Sequence, residues 1–336
     1  MTGGGVRLVL RLAVATVLLV LAFRLALPEG QESIAEALAS AWTSSLPVAL
    51  GWFGVAAGLF GLSFGAAARR FEILLSAAGL APRFLPVLRA YVVANFLTLV
   101  LPSAIVSDAY RAVDAKRDSG TSAEPLAVLA AERVLSLAAL GVVVLAAVPF
   151  APLADTDRAR VLLALAAVGT IVGAGLALLR PRYHGLLRWL LSPFVKLSTR
   201  LAAGIDAALA AASELSKRPG ILARAFAWSV IAQLLPVCAV AALAQPLDTD
   251  LGLHWYFVVV PFIFLIALIP ISLGGAGVRE WLFIEFFGAL GMRSEVALSL
   301  SLSAFAVSLA WGFVGLALFA WGRRKPSRPA PGNPTP

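Results

Sequence analysis

The chain has 336 residues, of which 60% are hydrophobic and 13% charged, with a mean hydropathy of +0.92, whereas a soluble domain averages about 45–50% apolar and about 25% charged. One soluble core cannot hide that much apolar surface, so the composition excludes a soluble protein and points to one built into a membrane. One cysteine and two histidines leave no disulfide, no cysteine cluster and no histidine-rich metal site; the net charge of +9 follows the membrane faces, and no nucleic-acid-binding motif accompanies it.

A helix needs about 20 apolar residues to cross the hydrocarbon layer. Leu8–Leu27 is the first such stretch. Its length, and Arg24 where a small-residue cleavage site would lie, favour a retained span over a signal peptide. Leu46–Ala68 is the second span. Phe84–Leu101 is apolar but carries Arg89 and ends at Pro102, so it reads as a re-entrant hairpin on the cytoplasmic side. Pro125–Val148 and Ala159–Leu179 are the next spans. Tyr183–Lys217 mixes leucines with Arg188, Lys196 and Arg200, as suits an amphipathic segment on an anionic inner leaflet. Ile221–Ala244 spans again. Phe257–Leu290 is broken by Pro261, Pro270 and Gly274-Gly275-Ala276-Gly277, giving halves too short to cross and hence an outer re-entrant hairpin. Val296–Trp321 is the last span, and the Pro-rich residues 325–336 are expected to be disordered. Trp42, Trp255, Tyr256 and Trp321 fall near span ends, where an aromatic belt sits.

Lys and Arg orient the chain, since positive residues stay in the cytoplasm. With both broken regions re-entrant, residues 1–7, 69–90, 103–123, 180–219 and 322–336 carry 19 Lys/Arg, against 2 in the outer stretches. Both termini are then cytoplasmic, in a multi-pass protein of the cell (inner or plasma) membrane. The expected fold is an all-α polytopic membrane protein, one transmembrane domain over 1–324. It has six full transmembrane helices plus two broken re-entrant hairpins in an inverted 3+3 repeat, with pseudo-repeats over about 6–150 and 156–321. Inverted repeats of this kind place their sites at broken helices near mid-membrane. A local echo agrees: Pro102 precedes Arg111 by nine residues, and Pro270 precedes Arg279 by nine.

Six arginines lie inside the apolar stretches. Arg11, Arg24, Arg160 and Arg224 sit within about a turn of a span end and can snorkel. Arg133 and Arg279 cannot, and each has an adjacent acid, Glu132 and Glu280. A charge at a helix centre costs roughly 2.5–3.5 kcal/mol on the insertion scale, so such residues are paired and commonly functional. Neighbours on a helix point about 100° apart, so Glu132 and Arg133 should each pair elsewhere, as a structural lock or as part of a site. Gly274, Gly275 and Gly277 expose backbone N–H groups, and a half-helix starting near Gly277 offers its positive end to an anion. Arg279 there needs a negative group, from Glu280 or from a lipid phosphate. Asp108 and Arg111 form the cytoplasmic counterpart, as a site or as a solvated loop pair. The Asp155/Asp157 and Asp248/Asp250 triplets read as solvated loop acids.

The stretch Leu268-Ile269-Pro270-Ile271-Ser272-Leu273-Gly274-Gly275-Ala276-Gly277-Val278-Arg279-Glu280 is similar to the Pro-x-Ser-x-x-Gly-x-Gly-x-Arg-Glu stretch of the lysylphosphatidylglycerol synthase transmembrane-region family, also called flippase-like domain proteins. Leu101-Pro102-Ser103 through Asp108-Ala109-Tyr110-Arg111 and then Glu132-Arg133 extend the likeness, which covers roughly residues 8–321. Ala104, Val106 and Ser107 stand where the family usually has glycines. The resemblance implies the membrane part alone, without the soluble aminoacyltransferase domain, and hence a non-enzymatic flipping or translocation of a polar-headed lipid or lipid-linked precursor. Substrate-binding residues would be Arg279, Arg111, Arg133, Ser272, Gly274, Gly275 and Gly277. Glu280, Glu132 and Asp108 would hold the arginines or couple an ion, with Pro270 and Pro102 setting the breaks. No cofactor or metal is expected, and the partners are membrane lipids, an anionic headgroup or lipid-linked substrate, and a cell-envelope enzyme. Two other readings stay open: a membrane-embedded transferase on a lipid-linked donor, using His254 or the outer Asp pairs, and an accessory subunit of a cell-envelope complex.

Overall fold

The computed structural model describes residues 41–100, 104–119, 123–147, 217–267 and 277–322, with the single positions 39, 169 and 213. Among them are eight helices: α1 (Leu46–Ala77), α2 (Phe84–Val100), α3 (Ala104–Ser119), α4 (Ala123–Ala147), α5 (Pro219–Ala244), α6 (Leu253–Ala267), α7 (Val278–Gly288) and α8 (Ser294–Gly322). The described residues are all-helical apart from turns and one isolated bridge, Trp42 with Leu247. Among the described residues, four helical stretches are long and apolar enough to cross a membrane: Leu46–Ala77, Val128–Ala147, Pro219–Ala244 and Ser294–Trp321. They bear out four of the expected spans. The spans expected at Leu8–Leu27 and Ala159–Leu179, nearly all of the 183–217 surface segment, and the 325–336 tail lie outside the described residues.

Helix α1 is longer than its apolar run. It continues nine residues past Ala68, because Arg70 does not end the buried face but belongs to it. Ser63, Ala66, Arg70, Leu74 and Ala77 follow at three- and four-residue spacing, and all are buried. At 32 residues, α1 is about 48 Å long, more than the roughly 30 Å hydrocarbon thickness.

Of the interruptions the sequence suggested, Pro102 and Pro270 with the glycine run fall between the described helices, and Pro261 falls inside one. Phe84–Val100 is one uninterrupted helix, with no fold-back inside it, and a second helix, α3, begins at Ala104. No proline or glycine lies in the α2 interior, and Pro86 sits in its first turn, where a missing N–H is tolerated. Pro261 likewise fails to end α6, just as Pro236 lies inside α5. Packed membrane helices re-satisfy the backbone groups that proline frees. Helix α7 begins behind its N-cap Gly277, whose φ of +80° only glycine adopts without strain.

The α1–α5 pair forms the largest helix–helix interface, and α8 crosses α2. At that crossing Gly312 faces Leu99 and Gly315 faces the Val92 carbonyl, so small residues permit close backbone approach. One apolar core gathers Val240, Tyr256, Ile263, Phe283, Phe287 and Leu300 from α5–α8. A second gathers Phe71, Leu74, Tyr91, Val128 and Leu135 from α1, α2 and α4. Tyr256, expected in the interfacial belt, is instead core, with its ring 5.4 Å from that of Phe287. Trp321, 72% exposed, fits the belt.

Candidate functional site

The second core encloses the densest set of charges among the described residues. Glu132 lies two to three turns into α4 and is buried. Its carboxylate accepts from the Tyr91 hydroxyl at 2.5 Å, from Arg111 Nη1 at 3.0 Å to each oxygen, and from Arg70 Nη2. Arg70 is itself buried and also donates to Ser136 Oγ at 2.7 Å and Ser229 Oγ at 3.3 Å. Its Nε has no hydrogen-bond partner among the described residues. The Arg111 guanidinium lies 4.5 Å from the centre of the Tyr91 ring and 5.8 Å from that of Phe71, so aromatic faces share its charge. Such burial is tolerable only because every charge has a partner of opposite sign; an isolated one would cost far more than folding supplies.

Asp108 links this buried core to the periphery. It stands one helical turn before Arg111 in α3 and accepts from it. On its other side it receives Arg133, from Nη2 at 2.5 and 2.6 Å and from Nε at 3.1 Å. The helical offset between neighbours separates the two α4 charges as the sequence suggested: Glu132 turns inward, and Arg133 turns out with 46% of its side chain exposed. Among the described residues, the ion pairs of this network join three guanidinium groups, of Arg70, Arg111 and Arg133, to two carboxylates, of Glu132 and Asp108. A cavity of about 30 Å³, room for about one water, reaches Arg111 beside Asp114 between α1, α2 and α3.

The second arginine is more closely matched. Glu280, in the first turn of α7, reaches back to the Gly277 N–H at 2.6 Å and also binds Arg279 Nη2. Arg279 Nε donates to Ser301 Oγ at 3.3 Å, and its guanidinium lies 4.9 Å from the Phe305 ring centre. A cation at a helix N-terminus opposes the macrodipole, and Glu280 supplies the compensation. Arg279 and Glu280 therefore balance one for one.

The structure brings Asp108, Arg111, Glu132 and Arg133 into one network and keeps Arg279, Glu280 and Gly277 in another. Pro102, Pro270, Ser272, Gly274 and Gly275 lie outside the described residues. Arg111 is no loop residue: it is buried in α3, two turns in, whereas Arg279 is the second residue of α7. The matched nine-residue spacing thus places the two arginines differently along their helices. Arg133 has a partner of opposite charge in Asp108 while keeping nearly half of its side chain exposed. Arg70, Tyr91 and Ser136 were not among the sequence candidates. Arg70 had been counted with the cytoplasmic flank, as had Arg89, which is half-buried and donates to the Leu318 carbonyl at 3.0 Å. The transferase candidates are engaged in local contacts: Asp248 with Arg293 at 2.8 Å, and His254 against the Trp255 ring.

The family model described as "Lysylphosphatidylglycerol synthase TM region" matches residues 8–317. No curated protein and no solved structure matches the chain. With nearly the whole length matched, the chain belongs to that family.

Proposed function

Starting from membership of the lysylphosphatidylglycerol synthase transmembrane-region family, we propose that this membrane protein translocates a lipid, or lipid-linked precursor, with an anionic headgroup. The observation that carries the reading is the excess positive charge of the Arg70–Glu132–Arg111–Asp108–Arg133 network together with the exposure of Arg133 at its outer end. A headgroup phosphate meeting Arg133 balances that charge, and Arg111, one carboxylate further in, is the next station. Glu132 and Asp108 hold the guanidinium groups apart and aimed, so the site is organised before the lipid arrives. The acyl chains stay in the bilayer.

Arg279 enters this reading differently. Glu280 already neutralises it, so an anion reaches Arg279 only by displacing that carboxylate. Gly277, which caps α7, and Glu280 frame this second station. In this reading the two stations belong to inverted halves of the chain and open to opposite membrane faces, as alternating exposure requires. A transmembrane potential, worth roughly 2.3 kcal/mol per charge per 100 mV, helps to drive an anion outward.

The test is headgroup accessibility in sealed proteoliposomes holding the purified protein, with fluorescently labelled phosphatidylglycerol or phosphatidylcholine and a membrane-impermeant quencher. The reading predicts faster exchange of phosphatidylglycerol than in protein-free vesicles, and faster than phosphatidylcholine. Equal rates for the two lipids, or no exchange above the protein-free rate, overturn it.

A further inference from the structure

We propose that a second, resident anionic phospholipid binds in the seam between α1 and α5, its phosphate held by Arg69, Arg218 and Arg224 and an acyl chain lying in the adjoining apolar groove. Two cavities meet there. The first, about 260 Å³, is lined by Arg69, Glu72, Ser76, Arg218 and Arg224 with apolar neighbours. The second, about 580 Å³, is lined by Leu62, Gly65, Phe84, Trp228, Ile231 and Leu235, and Arg69 borders it as well. Apart from Arg69, every residue lining the second cavity is apolar or glycine. Its volume falls within the range typical of ligand pockets.

The charges in the first cavity do not balance. Arg69 donates to Glu72 at 2.5 Å, but among the described residues neither Arg218 nor Arg224 has a carboxylate partner. Three guanidinium groups thus face one carboxylate, all three arginines are exposed, and a phosphodiester supplies the missing charge. The direction of the groove fits the same ligand. Along α1 the lining runs from apolar Leu62 to Arg69, and along α5 from apolar Leu235 back to Arg224 and Arg218. Both helices therefore pass from apolar to basic toward the same end, over about 16 Å between Leu235 and Arg224. A charged end and an open apolar groove running from it along the two helices match the shape of a lipid rather than of a free anion. The seam is separate from the Glu132 network, because Arg70, the residue after Arg69, turns about 100° away into that network.

Full-length protein in nanodiscs of phosphatidylglycerol, then of phosphatidylcholine, tests the site by native mass spectrometry of retained lipid. Wild type is expected to retain one phosphatidylglycerol, and Arg69→Gln/Arg218→Gln/Arg224→Gln at least tenfold less. Gly65→Leu is the second probe: Gly65 lines the groove and a Cβ there has no neighbour within 4 Å, so the substitution starts into open space. It too should lower retention, and it carries the test if the triple variant fails to fold. Arg133→Gln should retain the lipid, which keeps this site distinct from the proposed transport site. Equal retention in wild type and the triple variant overturns the proposal. So does displacement by inorganic phosphate with Gly65→Leu unaffected, which would mark a free-anion site.

Discussion

Replacing Glu132 with glutamine changes the side-chain volume little but removes the charge that faces both Arg70 and Arg111. Glu132 is buried and accepts from two guanidinium groups and the Tyr91 hydroxyl. Its amide replacement can accept with one atom only, and its NH₂ group would point donors at donors. Breaking a buried ion pair by removing one partner costs about 3–5 kcal/mol, chiefly because the other charge stays behind unpaired. Here two guanidinium groups stay behind, and only Arg111 keeps a carboxylate, Asp108. The expected loss is therefore about 3–5 kcal/mol, read as a shift in reversible unfolding in mixed micelles. The cause is separable from lost packing by a double-mutant cycle. Arg70→Met removes the orphaned cation, so Glu132→Gln/Arg70→Met should be less destabilised than the sum of the single variants by about 1–3 kcal/mol. A Glu132→Gln loss under about 1 kcal/mol, or strict additivity with Arg70→Met, would refute the view that this carboxylate is the electrostatic keystone of the bundle.

The exposed end of the network should behave in the opposite way. Arg133→Gln removes a half-exposed ion pair worth about 0–1 kcal/mol, so stability barely moves while exchange of labelled phosphatidylglycerol falls at least tenfold. Arg279→Gln should combine both effects: Glu280 keeps its bond to the Gly277 N–H but loses its cation, so thermal stability drops further than in Arg133→Gln, alongside transport. At the helix crossings, a Cβ at Gly315 would overlap the Val92 carbonyl and one at Gly61 the Trp311 ring. Alanine at either position should cost about 1–3 kcal/mol in the same unfolding assay, whereas Gly58→Ala, facing open space, should be neutral or better.

Apolar length carried much of the fold: four predicted spans reappear, three within a few residues of their expected ends and the fourth running on to Ala77. The pairing of Glu132 and Arg133 with different partners followed from helical geometry alone. Glycine content likewise marked the restart at Gly277. Arg70 was missed for a physical reason. An Arg-Arg pair after an apolar run reads as a cytoplasmic flank, yet one of the two sits on the buried face and the other does not. The periodicity of Ser63, Ala66, Leu74 and Ala77 around it was the signal available. Proline misled in the other direction, since Pro261 looked like a break where neighbouring helices sustain continuity. Tyr91 was hidden among apolar neighbours; only the arrival of Glu132 and Arg111 from distant parts of the chain gives its hydroxyl and ring a role.

The central claim is that the surplus charge at the end of the network selects the headgroup, and the lysine and glutamine variants of Arg133 measure it most directly. Both should remain folded, and both occupy the same exposed position beside Asp108. In sealed vesicles the account predicts that Arg133→Lys keeps most of the phosphatidylglycerol preference over phosphatidylcholine, while Arg133→Gln abolishes it. If the two variants exchange both lipids at the wild-type rate and ratio, the positive charge at residue 133 has no part in choosing the lipid, and the account fails.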